Sequence, residues 1–208
     1  GPGHCAVMGT ASTMGAIGEA LGIALPGNAS IPATDARRAR LAEASGRRVV
    51  GLVKENQKPS DILTPSAFEN AIRTLHAIGG SANGIIHLIA IAGRVGLDLP
   101  LRLFDDLSRS TPVLADVKPS GRFLMEDLYN AGGIPALMKE LLPLLHQDAL
   151  TVTGNSLSQN VIKTEFRNRE VIRTLDSPVH EEGGLAVLTG NLAPDGAIIK
   201  SSAASPSL

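Results

Sequence analysis

Apolar side chains return at helical spacing in several separate runs of this chain. The clearest is Phe68, Ala71, Ile72, Leu75 and Ile78, introduced by Thr64-Pro65, a capping residue followed by the residue type that suits the first helical position. This pattern predicts a helix that Gly79-Gly80-Ser81-Ala82-Asn83-Gly84 brings to an end. From Ile85 to about Val95 nearly every side chain is apolar, which predicts a second helix buried on several sides. Upstream, small residues around Cys5 lead into a helical pattern through Ile17, Ala20 and Leu21, so a loop is expected to feed a helix. Leu25-Pro26-Gly27-Asn28 breaks that helix. Thr34-Asp35 can cap another, running through Arg37, Arg38, Leu41 and Ala42 and ended or weakened at Gly46.

Further along, residues 101–107 read as a short helix and Pro112-Val113-Leu114-Ala115 as a short strand. Residues 125–129 and 135–145 read as two helices parted by Ala131-Gly132-Gly133, and Thr151-Val152-Thr153 as another strand. Beyond Asn160 charge rises and helical periodicity fades. Leu185-Ala186-Val187-Leu188 and Ala197-Ile198-Ile199 look like strands, separated by Gly190-Asn191 and Pro194-Asp195-Gly196. The expected organisation is a helix-rich α/β unit over 1–160, a linker or crossover over 161–183, and the opening strands of a second, incomplete unit over 184–208. A hairpin alone is marginal in water, so the sequence reads as a piece of a longer protein.

Composition narrows the functional classes. The 208 residues carry 19 Lys+Arg against 20 Asp+Glu, so no whole-chain field favours nucleic acid or an anionic membrane. Aromatic residues make up 2% of the chain, too few for the stacking platforms of a single-strand nucleic-acid binder. The longest apolar stretch falls well short of the roughly 20 residues of a membrane span, and the first residues lack the basic and apolar regions of a signal peptide. A cytoplasmic location is therefore expected, without a nucleic-acid or membrane partner. No dinucleotide or P-loop glycine pattern is present. The single cysteine, Cys5, excludes an internal disulfide framework and cannot complete a cysteine-based metal site by itself.

The run from Gly3 to Met14, with Glu19-Ala20-Leu21-Gly22 and Leu25-Pro26-Gly27 behind it, resembles a segment of the dihydroxy-acid and sugar-acid dehydratases, in which a cysteine precedes Met-Gly-Thr-Ala-Ser-Thr-Met. The resemblance continues in the family's order. It passes through Lys58-Pro59-Ser60-Asp61-Ile62-Leu63, Gly79-Gly80-Ser81-Ala82-Asn83 with His87-Leu88, and Lys118-Pro119-Ser120-Gly121, then Ala131-Gly132-Gly133-Ile134-Pro135 and Gly190 to Gly196. Met8 to Met14, Ala33 to Arg38 and Phe68 to Thr74 look most like the sugar-acid branch, of the arabinonate or a related aldonate type. The resemblance implies an α/β/α N-terminal domain, of which this chain holds the helix-rich part, followed by the first strands of a C-terminal β-barrel-like domain.

By the same resemblance, Cys5 is a ligand of an iron-sulfur cluster, [2Fe-2S] in preference to [4Fe-4S], and Mg2+ is a second cofactor whose ligands lie outside the chain. The serine base also lies outside, so no catalytic residue is expected within the segment. The implied reaction dehydrates a sugar acid to a 2-keto-3-deoxy acid, in a full-length homodimer or homotetramer. The alternatives are a dihydroxy-acid dehydratase of branched-chain amino-acid synthesis and a non-catalytic remnant that acts as a binding module.

Other residues carry two readings each. Ser81 and Asn83 either present an anion-binding helix start to the substrate carboxylate or simply cap a tight helix-helix turn. Ala82 stands where the family usually has threonine. Lys118 is a carboxylate partner or part of a rigid turn. His4 either donates to a cluster sulfur or is a solvated loop residue, and His87, alone on an apolar helix, reads as a satisfied core histidine in preference to a ligand or base. Arg37, Arg38, Arg47 and Arg48 read as solvated or interfacial charges.

Overall fold

In the computed structural model, which describes residues 5–204, the element at the centre is the helix whose start the sequence marks most clearly. Helix α4 (Pro65–Ala77) begins at Thr64, whose side chain accepts from the Ala67 N–H. It buries Phe68, Ala71, Ile72 and Leu75 together with Asn70, Thr74 and His76. Helix α1 (Thr10–Ala20) packs along it through Ala16, Ile17 and Ala20. Helix α5 (Asn83–Arg94) leans on both. The turn between α4 and α5 is tight because a Cβ at Gly80 would lie 2.6 Å from the Leu75 Cδ1.

Helix α5 is buried along one face only. Gly84, Ile85, Leu88 and Ala92 point inward. Ile86, at 66% exposure, and His87 point out, so the expected burial on several sides does not hold and His87 is not a core histidine. An apolar sequence gives no sign of which face has a neighbour, and among the described residues the outer face has none.

Helix α2 (Ala36–Glu55) starts where expected, with the Asp35 side chain accepting from the Arg37 N–H at 2.8 Å. It does not stop at Gly46. A helical glycine costs about 1 kcal/mol relative to alanine, and the alanines, arginines and leucines around it, with Arg47 paired to Glu43 at 2.7 Å, carry the helix through. Asn56, in left-handed conformation with φ 54°, ends it. None of its residues is buried.

The remaining helices are α3 (Pro59–Ile62), α6 (Leu101–Arg109), α7 (Met125–Asn130), α8 (Gly133–Leu141) and α9 (Leu157–Val161). Neither α3 nor α9 is foreseen in the sequence, because four or five residues are too few to show a period. The helix expected to reach residue 145 becomes a 3-10 turn at Leu142–Leu144, around Pro143.

Two expected strands are absent. Residues 112–115 form a buried connection held by isolated bridges, Val113 to His180 and Ala115 to Ile172. Residues 151–153 form a turn in which the Thr151 hydroxyl donates to the Asn155 carbonyl at 2.9 Å, a local alternative that Ser and Thr offer to strand pairing. The true strands, β1 (Ala186–Gly190) and β2 (Ala193–Ile199), pair antiparallel. Pro194-Asp195-Gly196 lies inside β2, and the reversal falls at Asn191 and Leu192. The chain is thus a helix-rich body followed by two antiparallel strands. Residues 162–185 are fastened to that body, with Asp116 N–H donating to Val171 and Arg173 N–H to Leu114. No described helix is long and apolar enough to cross a membrane.

Among the described residues the buried histidine is His76, 1% exposed, whose ring nitrogens lack a hydrogen bond of good geometry. Burial pushes its pKa from 6.5 down to about 4. An unfolded histidine takes up a proton below 6.5 while this one stays neutral to about 4. Folding stability is therefore lost as pH falls through that window, by at most roughly 3 kcal/mol. Substituting His76→Leu is expected to flatten this acid limb in urea unfolding of the full-length protein. An unchanged acid slope would show that His76 does not cause it.

Candidate functional site

The loop before α1 is pinned from two sides. Met8, itself buried, donates its N–H to the Lys118 carbonyl at 2.7 Å, and Met125 donates to the Ala6 carbonyl at 2.9 Å. Ser12 Oγ donates to the Val7 carbonyl at 3.2 Å. Gly9 occupies the N-cap of α1 without a side chain to cap it, so the first N–H groups of the helix face this loop without a side-chain acceptor. Cys5 is exposed at the loop's start, and a Cβ on Gly9 would lie 3.9 Å from its Sγ.

The turn between α4 and α5 arrives at the same place. Ser81 N–H donates to Thr13 Oγ1 at 3.0 Å, and the Asn83 side-chain amide donates to Thr10 Oγ1 at 2.7 Å. The Ser81 and Thr10 hydroxyls are 3.4 Å apart. Ser81 and Asn83 are thus joined to the start of α1 through Thr10 and Thr13. Ala82, partly buried against the core, holds the α5 N-cap position with no side-chain hydrogen bond. Lys118 reaches this edge through its backbone bond to Met8, and its side chain is exposed. Ser120 follows, its hydroxyl 2.9 Å from that of Ser202. Cys5, the Ser81–Asn83 segment at the start of α5, and Lys118, far apart in sequence, therefore meet along one edge of the helical body. His4 lies outside the described residues, and His87 is on the outer face of α5.

A pocket of about 230 Å3 opens beside Cys5, lined also by Ser12, Asn28, Ser30, Arg38 and Met125. Arg38, expected as a solvated charge, donates to the Asn28 carbonyl at 3.0 Å and to the Ile31 carbonyl. Its neighbour Arg37 pairs with Asp35 at 2.5 Å and lies over the Tyr129 ring. Arg48 pairs with Glu55 at 2.7 Å and donates to the Val152 carbonyl. Of the arginines expected as solvated or interfacial, Arg47 is the one whose recorded contact lies wholly on the helix surface.

As a donor set for a metal group, the described residues supply one accessible thiol. No cluster of three or more His, Cys, Asp or Glu placed to hold an ion occurs among them. An exposed thiol at the open side of a pocket, near the start of a helix, suits one position on a group whose other ligands come from elsewhere.

Residues 1–160 match the family model described as dihydroxy-acid/6-phosphogluconate dehydratase N-terminal, and residues 170–208 match its C-terminal counterpart. The chain belongs to this family. It is 50% identical over 205 residues to the dihydroxy-acid dehydratase of Ignicoccus hospitalis, covering 98% of this chain and 37% of that protein. Over 210 residues it is 50% identical to the protein of the same name from Caldicellulosiruptor saccharolyticus and 48% to that from Acetivibrio thermocellus, covering 100% of this chain and 38% of each relative. The chain thus spans little more than a third of the length of the relatives it matches.

Sequence reasoning missed Thr10, Thr13 and Glu19. The two threonines acquire their partners only through the packing of α1 against the following turn. Glu19 carried a signal that went unread: a lone carboxylate in the otherwise apolar stretch from Gly15 to Leu21, two turns before a Leu-Pro-Gly break.

Proposed function

We propose that the full-length protein is a dihydroxy-acid dehydratase, removing water from a 2,3-dihydroxy acid to give a 2-keto acid. The observation that carries this is the name shared by relatives 48–50% identical to the chain along nearly its whole length. In the reaction a base takes the C2 proton, the C3 hydroxyl leaves, and the resulting enol becomes the keto acid. An iron-sulfur cluster with Cys5 among its ligands would supply a Lewis-acidic iron for the departing oxygen, and Mg2+ would stabilise charge on the carboxylate side.

The residues of this chain have positioning work in that scheme. Cys5 presents its thiol at the open side of the pocket. The uncapped start of α1, with Thr10, Ser81 and Asn83 around it, offers donors to a carboxylate or hydroxyl. Lys118 adds a positive charge on the same edge. The base and the Mg2+ ligands come from the remainder of the protein, which we propose assembles as a homodimer or homotetramer.

The sugar-acid reading retains its own sequence features, the Met8 to Met14 signature with Ala33 to Arg38 and Phe68 to Thr74. Both readings are tested by incubating the full-length protein separately with branched-chain 2,3-dihydroxy acids and with aldonic acids, and measuring 2-keto acid together with iron and acid-labile sulfide. Turnover of the branched-chain acids is expected. Turnover of aldonates alone would restore the sugar-acid reading, and a protein with neither turnover nor cluster would leave the non-catalytic one.

A further inference from the structure

The pocket beside Cys5 has residues 28–31 along one wall, and what holds that wall is a carboxylate inside the protein. Glu19 lies on α1 and is 4% exposed. Its Oε2 accepts from the Gly27 N–H at 2.9 Å and its Oε1 from the Ala29 N–H at 2.5 Å. Each oxygen serves a different N–H, so a side chain with one acceptor oxygen cannot repeat the arrangement. From the other side Arg38, on α2, donates to the carbonyls of Asn28 and Ile31. The loop is gripped by its N–H groups inward and by its carbonyls outward.

We propose that Glu19 is a positioning residue for the centre at Cys5: by holding residues 27–29 it sets the wall of the pocket that opens beside that thiol. The importance of the pocket rests on the dehydratase reading, whereas the grip on the loop does not. Burial raises the Glu19 carboxyl from 4.5 to about 7, against the lowering effect of the two N–H groups and of Arg38. Arg38 is the one charged group acting on it. A small cavity that Glu19 lines is shared on the α8 and α9 side by Met138, Leu157, Asn160 and Val161, none of them titratable. Ionised, the carboxylate accepts both N–H groups; protonated, one oxygen carries a hydrogen and that half of the grip is weakened.

The test is hydrogen exchange of residues 25–31 in the full-length protein, corrected for intrinsic rates, on either side of pH 7. It is run on the wild type and on Glu19→Gln, with visible circular dichroism of the cluster beside it. The wild-type loop is expected to exchange up to about tenfold faster on the acid side, the effect of losing one hydrogen bond. Glu19→Gln should exchange fast at both and shift the cluster signal. A folded Glu19→Gln with wild-type exchange, or with fast exchange and an unaltered cluster signal, overturns the proposal. If Glu19→Gln does not fold, Arg38→Gln loosens the same loop from outside and is held to the same two readings. Should the wild type contain no cluster, the dehydratase reading fails on that ground. The alkylation rate of Cys5, read by peptide mass, then replaces the dichroism: a rate unchanged by loosening the loop overturns the positioning role.

Discussion

Substituting Cys5→Ser in the full-length protein is expected to remove its visible iron-sulfur absorption, deplete iron and sulfide, and lower turnover at least about a hundredfold. Loss of even an outer partner of a metal ligand costs 10- to 100-fold, so loss of the ligand itself should cost no less. Serine keeps the size of the side chain but lacks the soft, readily ionised sulfur that iron-sulfur centres require. The substitution should leave the fold alone, because Cys5 is exposed and serine matches it in size. A useful control is Gly9→Ala, whose new methyl would come no nearer than 3.9 Å to the Cys5 sulfur, an ordinary contact. It should retain iron. Full iron, sulfide and turnover in the serine variant would remove Cys5 from the cluster and with it the main chemical role assigned to this chain.

What the sequence discloses here depends on how local the cause is. Helix α4 is legible at its start because Thr64 and Pro65 act within one turn of themselves. Helix α5 is legible as a helix, but its outward Ile86 and His87 are not, since burial is a property of what lies opposite. Gly46 is over-read because an intrinsic cost of about 1 kcal/mol is small against a 20-residue helix of favourable neighbours. The strand-like Thr151-Val152-Thr153 is misread because its hydroxyls bind nearby groups. The same distinction runs through the site. Ser81, Asn83 and Lys118 stand out as motifs, yet nothing local says that Thr10 receives the Asn83 amide or that the Lys118 carbonyl receives the Met8 N–H. Each closes across more than 70 residues and exists only once segments distant in the chain have packed.

Substituting Gly121→Ala is expected to destabilise the protein by about 3 kcal/mol, the upper end of the usual range for overpacking. A Cβ there would lie 2.4 Å from the Asp116 carbonyl carbon, 2.4 Å from its Oδ1 and 2.5 Å from the Val117 nitrogen. Two of these atoms are backbone and cannot rotate aside, so the turn from Asp116 to Gly121 must open. Three hydrogen bonds resist this: Gly121 N–H to the Val117 carbonyl at 2.9 Å, and both Arg122 N–H and Arg122 Nε to the Asp116 carboxylate at 2.8 Å. The same turn carries Lys118, whose carbonyl anchors Met8, so strain at Gly121 reaches the Cys5 loop through one hydrogen bond. Gly93→Ala provides the contrast. Nothing lies within 4 Å of its added methyl near the end of α5, and alanine there should stabilise by about 0.5–1 kcal/mol, as expected for a helical site. Urea midpoints of the two variants in the full-length protein should therefore move in opposite directions. Equal shifts would mean that the crowding of Asp116 and Val117 is relieved without cost, and that it does not require glycine in the turn that places Lys118 beside the cysteine loop.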